Sequence, residues 1–249
     1  MARNFDGTAD RIDYASVQDA GAQAQTLSLW AYIDSTPEHD YVFWDAHKAG
    51  DAASGTMLYG VNATSCVIFI LSGATVVYRH TSTAMGTGAW VHILCTSDGS
   101  VTGANIHIYK NGVECGYSTT QNGVTLTAAL GTWSLGGRVF SDTRNLDGKL
   151  AAVGWWNRVL TAGEIAGLVA GFSPLCYPQG LKFAPDLDGL FGPNNPLGGA
   201  ATLDGTTIIA HPRLIYPSRR RVQVRGAAVG TTIRWPWQLR RHRRMAGAR

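Results

Sequence analysis

The chain reads as an all-β, two-layer sandwich with one short helix, followed by an extended strap and a basic C-terminal arm. Three observations predict this. Short strand-like runs recur with Gly, Asn, Asp or Ser between them every ~8–12 positions, which fits sandwich strands and not alternating βαβ units. Gln25 to Ile33 (QTLSLWAYI) alternates cleanly, with Leu27, Leu29, Ala31 and Ile33 on one face and Thr26, Ser28, Trp30 and Tyr32 on the other. From Ser173 onward the texture changes to Pro- and Gly-rich sequence and then to arginine.

Taken in order, Asn4 to Tyr14 reads as two short strands around a polar turn. After the alternating strand come strand-like runs at Tyr41–Asp45, Met57–Val61, Cys66–Leu71 and Thr75–Arg79. Trp90 to Thr96 is the next run. It leads to Asn105–Lys110 and the dipeptide Asn111-Gly112, a two-residue hairpin signal because both central positions need positive φ. Val113 to Tyr117 is expected to be the returning arm, and Trp133 to Gly137 follows.

The stretch Leu146 to Gly171 joins a strand directly to a helix. Leu150 to Trp156 is apolar with aromatic weight, as in a buried strand. Thr161 and Glu164 form a T-x-x-E capping box, and Ile165, Leu168 and Val169 supply the apolar stripe. Gly171 with Pro174 beyond it stops the helix.

These residues carry a resemblance. Gly148-Lys149-Leu150-Ala151-Ala152-Val153, then Asn157-Arg158-Val159-Leu160-Thr161, then Glu164-Ile165 resembles the closing strand and trailing helix of laminin-G-like, concanavalin A-like jelly rolls. Phe5-Asp6-Gly7 with Asp10 and Ile12 resembles that family's opening signature, and Trp90-Val91-His92-Ile93 its Trp-x-His-Val strand. The resemblance covers roughly the first 170 residues and implies the jelly-roll form of the sandwich. It says much about fold and little about ligand; calcium is the family's commonest metal.

The formal charge of +4 hides an asymmetry. Residues 1–210 carry −7, whereas residues 211–249 carry +11, all of it arginine. No run of ~18 apolar residues is present, so no membrane span is indicated. The N-terminus shows no apolar signal-peptide core. Cys66, Cys95, Cys115 and Cys176 are widely spaced with no C-x-x-C pair, which favours free buried thiols.

Three regions follow: a sandwich over 1–172, a strap over 173–210 laid on it, and an anchoring arm over 211–249. The strap offers sparse apolar anchors at Leu181, Phe183, Leu190 and Phe191, and Leu203–Ala210 adds a strand. The arm interleaves arginines (Arg219, Arg220, Arg221, Arg240, Arg241, Arg243, Arg244) with Tyr216, Trp235 and Trp237. Such pegs favour docking on an acidic protein neighbour or another copy of the chain. Nucleic acid is disfavoured, because the body is acidic and no recognition motif accompanies the arginines.

Catalysis finds little support. Glycoside hydrolysis needs two carboxylates ~5–9.5 Å apart, yet the glucanase-type Glu-x-Asp-x-x-Glu spacing does not occur, and Glu38, Glu114 and Glu164 are scattered. Neither G-x-S-x-G, G-x-G-x-x-G nor a P-loop is present. For calcium the candidates are Asp6, Asp10, Asp45 and Asp147, although the acidic residue expected on the closing strand is replaced by Ala151. Aromatic rings that stack on sugars are offered by Trp30 and Tyr32 beside Thr26 and Ser28, and by Trp156, which points away from Trp155.

The expectation is a non-enzymatic virion structural protein, of capsid-decoration or adhesin type, with no cofactor beyond calcium. It would present a lectin-like jelly roll at the particle surface, held by its basic arm to capsid or to copies of itself. A free carbohydrate-binding module and a polysaccharide hydrolase remain open as alternatives.

Overall fold

The computed structural model describes residues 2–15, 23–36, 40–48, 51–61, 64–72, 75–126, 132–138, 144–185, 187 and 201–217. Residues up to Pro217 make one compact unit. Of the arm's anchor residues, Tyr216 is described and is 52% exposed. Arg219, Arg220, Arg221, Trp235, Trp237, Arg240, Arg241, Arg243 and Arg244 lie outside the described residues, as do Leu190 and Phe191 of the strap.

The strands run in chain order as β1 (Ala2–Asp6), β2 (Arg11–Tyr14), β3 (Gln25–Ile33), β4 (Tyr41–Lys48), β5 (Asp51–Gly60), β6 (Val67–Ser72), β7 (Val77–Thr81) and β8 (Trp90–Ser97). Then come β9 (Ile106–Lys110), β10 (Val113–Glu114), β11 (Tyr117–Gln121), β12 (Trp133–Leu135) and β13 (Asp147–Trp156). Helix α1 (Ala162–Val169) precedes β14 (Leu181–Phe183), β15 (Ala201–Asp204) and β16 (Thr207–Ile209). They form two antiparallel sheets. The first has the order β10-β9-β8-β3-β13-β1-β16, with β14 also on β13; the second has the order β11-β7-β6-β5-β4-β12-β2-β15.

Strand alternation builds the core between them. Leu27, Leu29, Ala31 and Ile33 of β3, Val91, Ile93 and Cys95 of β8, and Leu150, Val153 and Trp155 of β13 face Phe43, Trp44, Leu58, Phe69 and Leu71 of the second sheet. Burying each large apolar chain stabilises the fold by about 1.5–3 kcal/mol. Trp133 is the aromatic hub, edge-on to Trp44 (5.3 Å), Trp155 (5.2 Å) and Phe183 (4.9 Å). A buried polar link crosses the middle of this core: Trp155 Nε1 donates to Gln25 Oε1 at 2.9 Å, and Gln25 Nε2 donates to Thr56 Oγ1.

A bulge keeps β13 in phase. Leu150 and Val153 both face the core although an odd number of steps separates them, so one residue must be inserted. The register on β3 shifts between Ala151 and Gly154, and Ala152 takes φ 48°. Beyond Trp156 the capping box forms as expected: Glu164 N donates to Thr161 Oγ1 at 3.4 Å, and Thr161 N to Glu164 Oε2 at 2.9 Å. Arg158 adds a two-pronged bond to the same carboxylate at 2.8 and 2.6 Å.

Three expectations need adjustment. The hairpin turn is present, with φ of 50° at Asn111 and 81° at Gly112, but its returning arm is only Val113–Glu114. Tyr117 instead starts β11, which pairs with β7 of the second sheet. The strap is more integrated than a laid-on segment: β14 joins β13, β15 joins β2 and β16 joins β1, closing both sheets on one side. Finally, residues 211–217 belong to the body, because Ile215 N donates to Gly171 O (2.7 Å) and Ile215 O accepts from Ser173 N (2.8 Å). All four cysteines are free thiols.

Candidate functional site

The outward face of the first sheet is ordered in cross-strand rows. Lys149, Tyr32 and Trp90 form one row; Ala151, Trp30 and His92 form the next. Tyr32 and Trp90 meet edge to face at 5.7 Å, and Trp30 lies tilted against the His92 ring at 5.2 Å. Trp30, Tyr32 and Trp90 each remain partly exposed. Lys149 Nζ sits 4.3 Å from the centre of the Tyr32 ring and pairs with Asp34. The result is an aromatic shelf with a charged polar rim.

His92 packs beside Trp30 in its row and is itself buried. Its Nε2 lies 2.9 Å from Ser28 Oγ, and its backbone N–H donates to Asn111 Oδ1 at 2.9 Å. Burial pushes its pKa down to about 4, so the ring is neutral at pH 7. Trp90 and His92 escape a reading by ring count alone; the signal for them was the antiparallel pairing that sets β8 beside β3.

Trp156 is corrected. It does point away from Trp155, but its ring is fully buried in a second, smaller core with Leu94, Leu160, Ile165, Leu168 and Leu181. Its Nε1 donates to Tyr177 O at 2.8 Å. Helix α1 and the chain after it cover this half of the sheet face, so Trp156 is no platform for a sugar.

The carboxylates proposed for calcium do not converge. Asp45 is fully buried on β4 and ion-paired with Arg138 at 3.6 Å. Asp6 and Asp147 are register partners, yet Asp6 is used by its own turn. It accepts from Thr8 Oγ1 (2.6 Å) and from the backbone N–H groups of Thr8 (2.9 Å), Ala9 and Asp10. Those bonds, the Thr8 hydroxyl first, hold its pKa down to about 2. Asp147 accepts from Ser35, and burial raises the pKa of Asp10. Among the described residues no three His, Cys, Asp or Glu side chains are placed to hold a metal ion.

A second face went unread in the sequence. On the outward side of the second sheet, His80, Ile68, Tyr59 and Val42 form one row, and Tyr78, Ile70, Met57 and Asp45 form another. Beside them stand the ion pairs Asp45–Arg138 and Asp40–Arg144, the latter at 3.8 Å.

This geometry has relatives. A family model of laminin G type, described as the concanavalin A-like lectin/glucanases superfamily, matches residues 6–166. The chain belongs to this superfamily. Among solved structures, a heptameric SAP-like pentraxin from Limulus polyphemus shares 15% identity, with 83% of this chain and 93% of that chain covered and a TM-score of 0.54. A candidate carbohydrate-binding protein from Bacteroides ovatus shares 16% identity, with 85% and 60% covered and a TM-score of 0.57. At these identities the likeness is one of fold. No curated protein sequence matches the chain.

Within the superfamily's fold, the two described glutamates are engaged structurally. Glu114 accepts from Tyr117 Oη at 2.9 Å and sits 2.8 Å from His107 Nδ1, while Glu164 is held by Thr161 and Arg158.

Proposed function

We propose that this chain is a non-enzymatic, lectin-like protein whose jelly roll presents the Trp30–Tyr32–Trp90 shelf to a surface glycan. The arginine-rich arm tethers that jelly roll to protein neighbours, capsid or further copies of the chain, at a virion surface. The observation that carries the binding reading is the shelf itself. Three partly exposed rings occupy adjacent rows on one sheet face, with the neutral, buried His92 packed against Trp30 and the Lys149–Asp34 pair at the edge. Aromatic faces take the C–H side of a sugar ring, and polar groups at the rim take its hydroxyls. The Bacteroides ovatus relative, described as a candidate carbohydrate-binding protein, suggests the same ligand class.

The tether reading is supported by charge: −7 over residues 1–210 against +11 over residues 211–249. A glycan array with the full chain and Trp30→Ala tests the first part. Binding by the full chain, lost in the variant, is expected; a variant that binds like the parent would refute it. Truncation after Pro217 tests the second. It should strip the protein from assembled particles while leaving array binding intact, and unchanged occupancy would contradict the tether.

A further inference from the structure

Strands β15 and β16, joined through Gly205, are the last strands of the second and first sheets on one side of the sandwich. Both pair in unbroken register, β15 with β2 and β16 with β1. No proline, lysine or arginine stands between Ala201 and Ile209. Such an edge offers unpaired backbone N–H and C=O groups to another chain. Its side chains make the same offer. Leu203 lies opposite the core residue Ile12, and Ile208 lies in the row that runs through Arg3 to the core residue Leu150. Strand alternation therefore turns both toward the space between the sheets. Yet Leu203 is 42% exposed and Ile208 46%.

The turn at the end of this edge is acidic. Gly205 takes φ 67° and presses so close to the Asp10 carboxylate that a methyl group at 205 would collide with it. Asp10 N donates in turn to Asp6 Oδ1 at 3.3 Å. Burial first, then the charges of Asp6 and Asp204, push the pKa of Asp10 up, as expected where carboxylates crowd. Asp10 is buried, but Asp6 and Asp204 are exposed. Arg11 pairs with Asp13 at 3.0 Å, and Arg3 is buried inside the edge, so the surface here is negative.

One segment of this chain matches that edge in sequence and in charge. Residues 211–249 carry +11, and within them Gly230-Thr231-Thr232-Ile233 repeats Gly205-Thr206-Thr207-Ile208, the turn and start of β16. Trp235 follows Ile233 at the two-residue spacing that shares a strand face, and Arg234 falls between them on the other. We propose that the β15–β16 edge is the docking surface for the arm of a second copy, whose residues 230–235 add a further strand beside β16. Main-chain bonds supply affinity in such strand addition, and side chains supply specificity. Ile233 and Trp235 cover Ile208 and Leu203, and the flanking arginines meet Asp204 and Asp6. This rests on the reading of the arm as a tether and names its partner. Residues 218–229 span about 40 Å when extended, enough to reach an adjacent jelly roll. The contact is head to tail, so each copy keeps a free edge or a free arm for the next.

The test is sedimentation velocity of the full chain over a concentration series, at low and at high salt. Association that grows with concentration and weakens with salt is expected. Asp204→Lys changes an exposed residue of the edge, and Thr232→Pro removes a backbone donor from the arm. Each should weaken association about tenfold. Mixing the two variants should restore one strong contact, since the first keeps an intact arm and the second an intact edge. Association unchanged in Asp204→Lys overturns the edge, and association unchanged in Thr232→Pro overturns the arm as its occupant. Loss in both variants with no recovery in the mixture overturns docking between copies. A full chain that stays monomeric at every concentration overturns the inference as a whole. If truncation after Pro217 still strips that monomeric protein from particles, the tether stands without it.

Discussion

The Trp156 indole lies over the Cα of Gly154, two residues back on the same strand. A methyl group at position 154 would sit 2.7 Å from the far edge of that ring and 2.8 Å from Pro174 Cβ. The glycine thus makes room for a tryptophan that roofs the strand and seals the second core under α1. Gly154→Ala should force the ring off the sheet and destabilise the fold by about 1–3 kcal/mol. Trp156→Ala should cost about 3–5 kcal/mol by leaving a cavity. Urea denaturation of both variants checks this, and an unchanged midpoint for either contradicts the packing.

Position 152 gives a second prediction. Ala152 holds φ 48° at the bulge that brings Val153 and Trp155 into the core. Left-handed backbone costs an L-residue about 1–2 kcal/mol and is worse for β-branched side chains. Ala152→Val should lower stability by at least about 1 kcal/mol, whereas Ala152→Gly should be neutral or mildly stabilising. Thermal melts of the two variants decide, and equal losses would contradict the strained bulge.

His92 predicts an acid sensitivity. Its folded pKa of about 4 lies below the ordinary 6.5, so the unfolded chain takes up a proton that the folded one refuses. The stability linked to this ring is complete above about pH 6.5 and is lost as the pH falls toward 4, on the order of 3 kcal/mol in all. His92→Gln keeps a donor for Ser28 and removes the titration. Stability curves of parent and variant should run parallel above pH 7 and diverge below pH 6.

Glu164 acts in a separate, more acidic window. Bonds from Arg158, and then from Thr161, hold its folded pKa at about 2, below the ordinary 4.5. Its contribution is present above pH 4.5 and disappears as the pH falls toward 2. Because this carboxylate is partly exposed, the effect is smaller than for His92 and screened by salt. The melting temperature of Glu164→Gln should lie below that of the parent at pH 6 and converge with it near pH 2.

Much of this was legible in the sequence because local rules agree there. The β3 alternation separated Leu27, Leu29, Ala31 and Ile33 from Trp30 and Tyr32, and the Thr161/Glu164 spacing specified the cap. What failed needed tertiary knowledge. The direction of Trp156 was read correctly, but its burial depends on α1 and Leu181 folding back over it. The outward floor of Tyr59, Ile68, Ile70, Tyr78 and His80 is spread over three strands, and only their pairing assembles it. The short β10 arm likewise follows from Tyr117 finding a partner in β7, which no turn signal encodes. Residues 211–217 read as arm by charge, while their backbone bonds to Gly171 and Ser173 place them in the body.

The most direct test follows tryptophan indole N–H signals by NMR during titration with the strongest-binding oligosaccharide. Trp30 and Trp90 should shift, while Trp44, Trp133, Trp155 and Trp156, all buried, should stay fixed. Saturable binding that leaves the Trp30 and Trp90 signals unmoved would contradict the shelf as the place where this jelly roll meets its glycan.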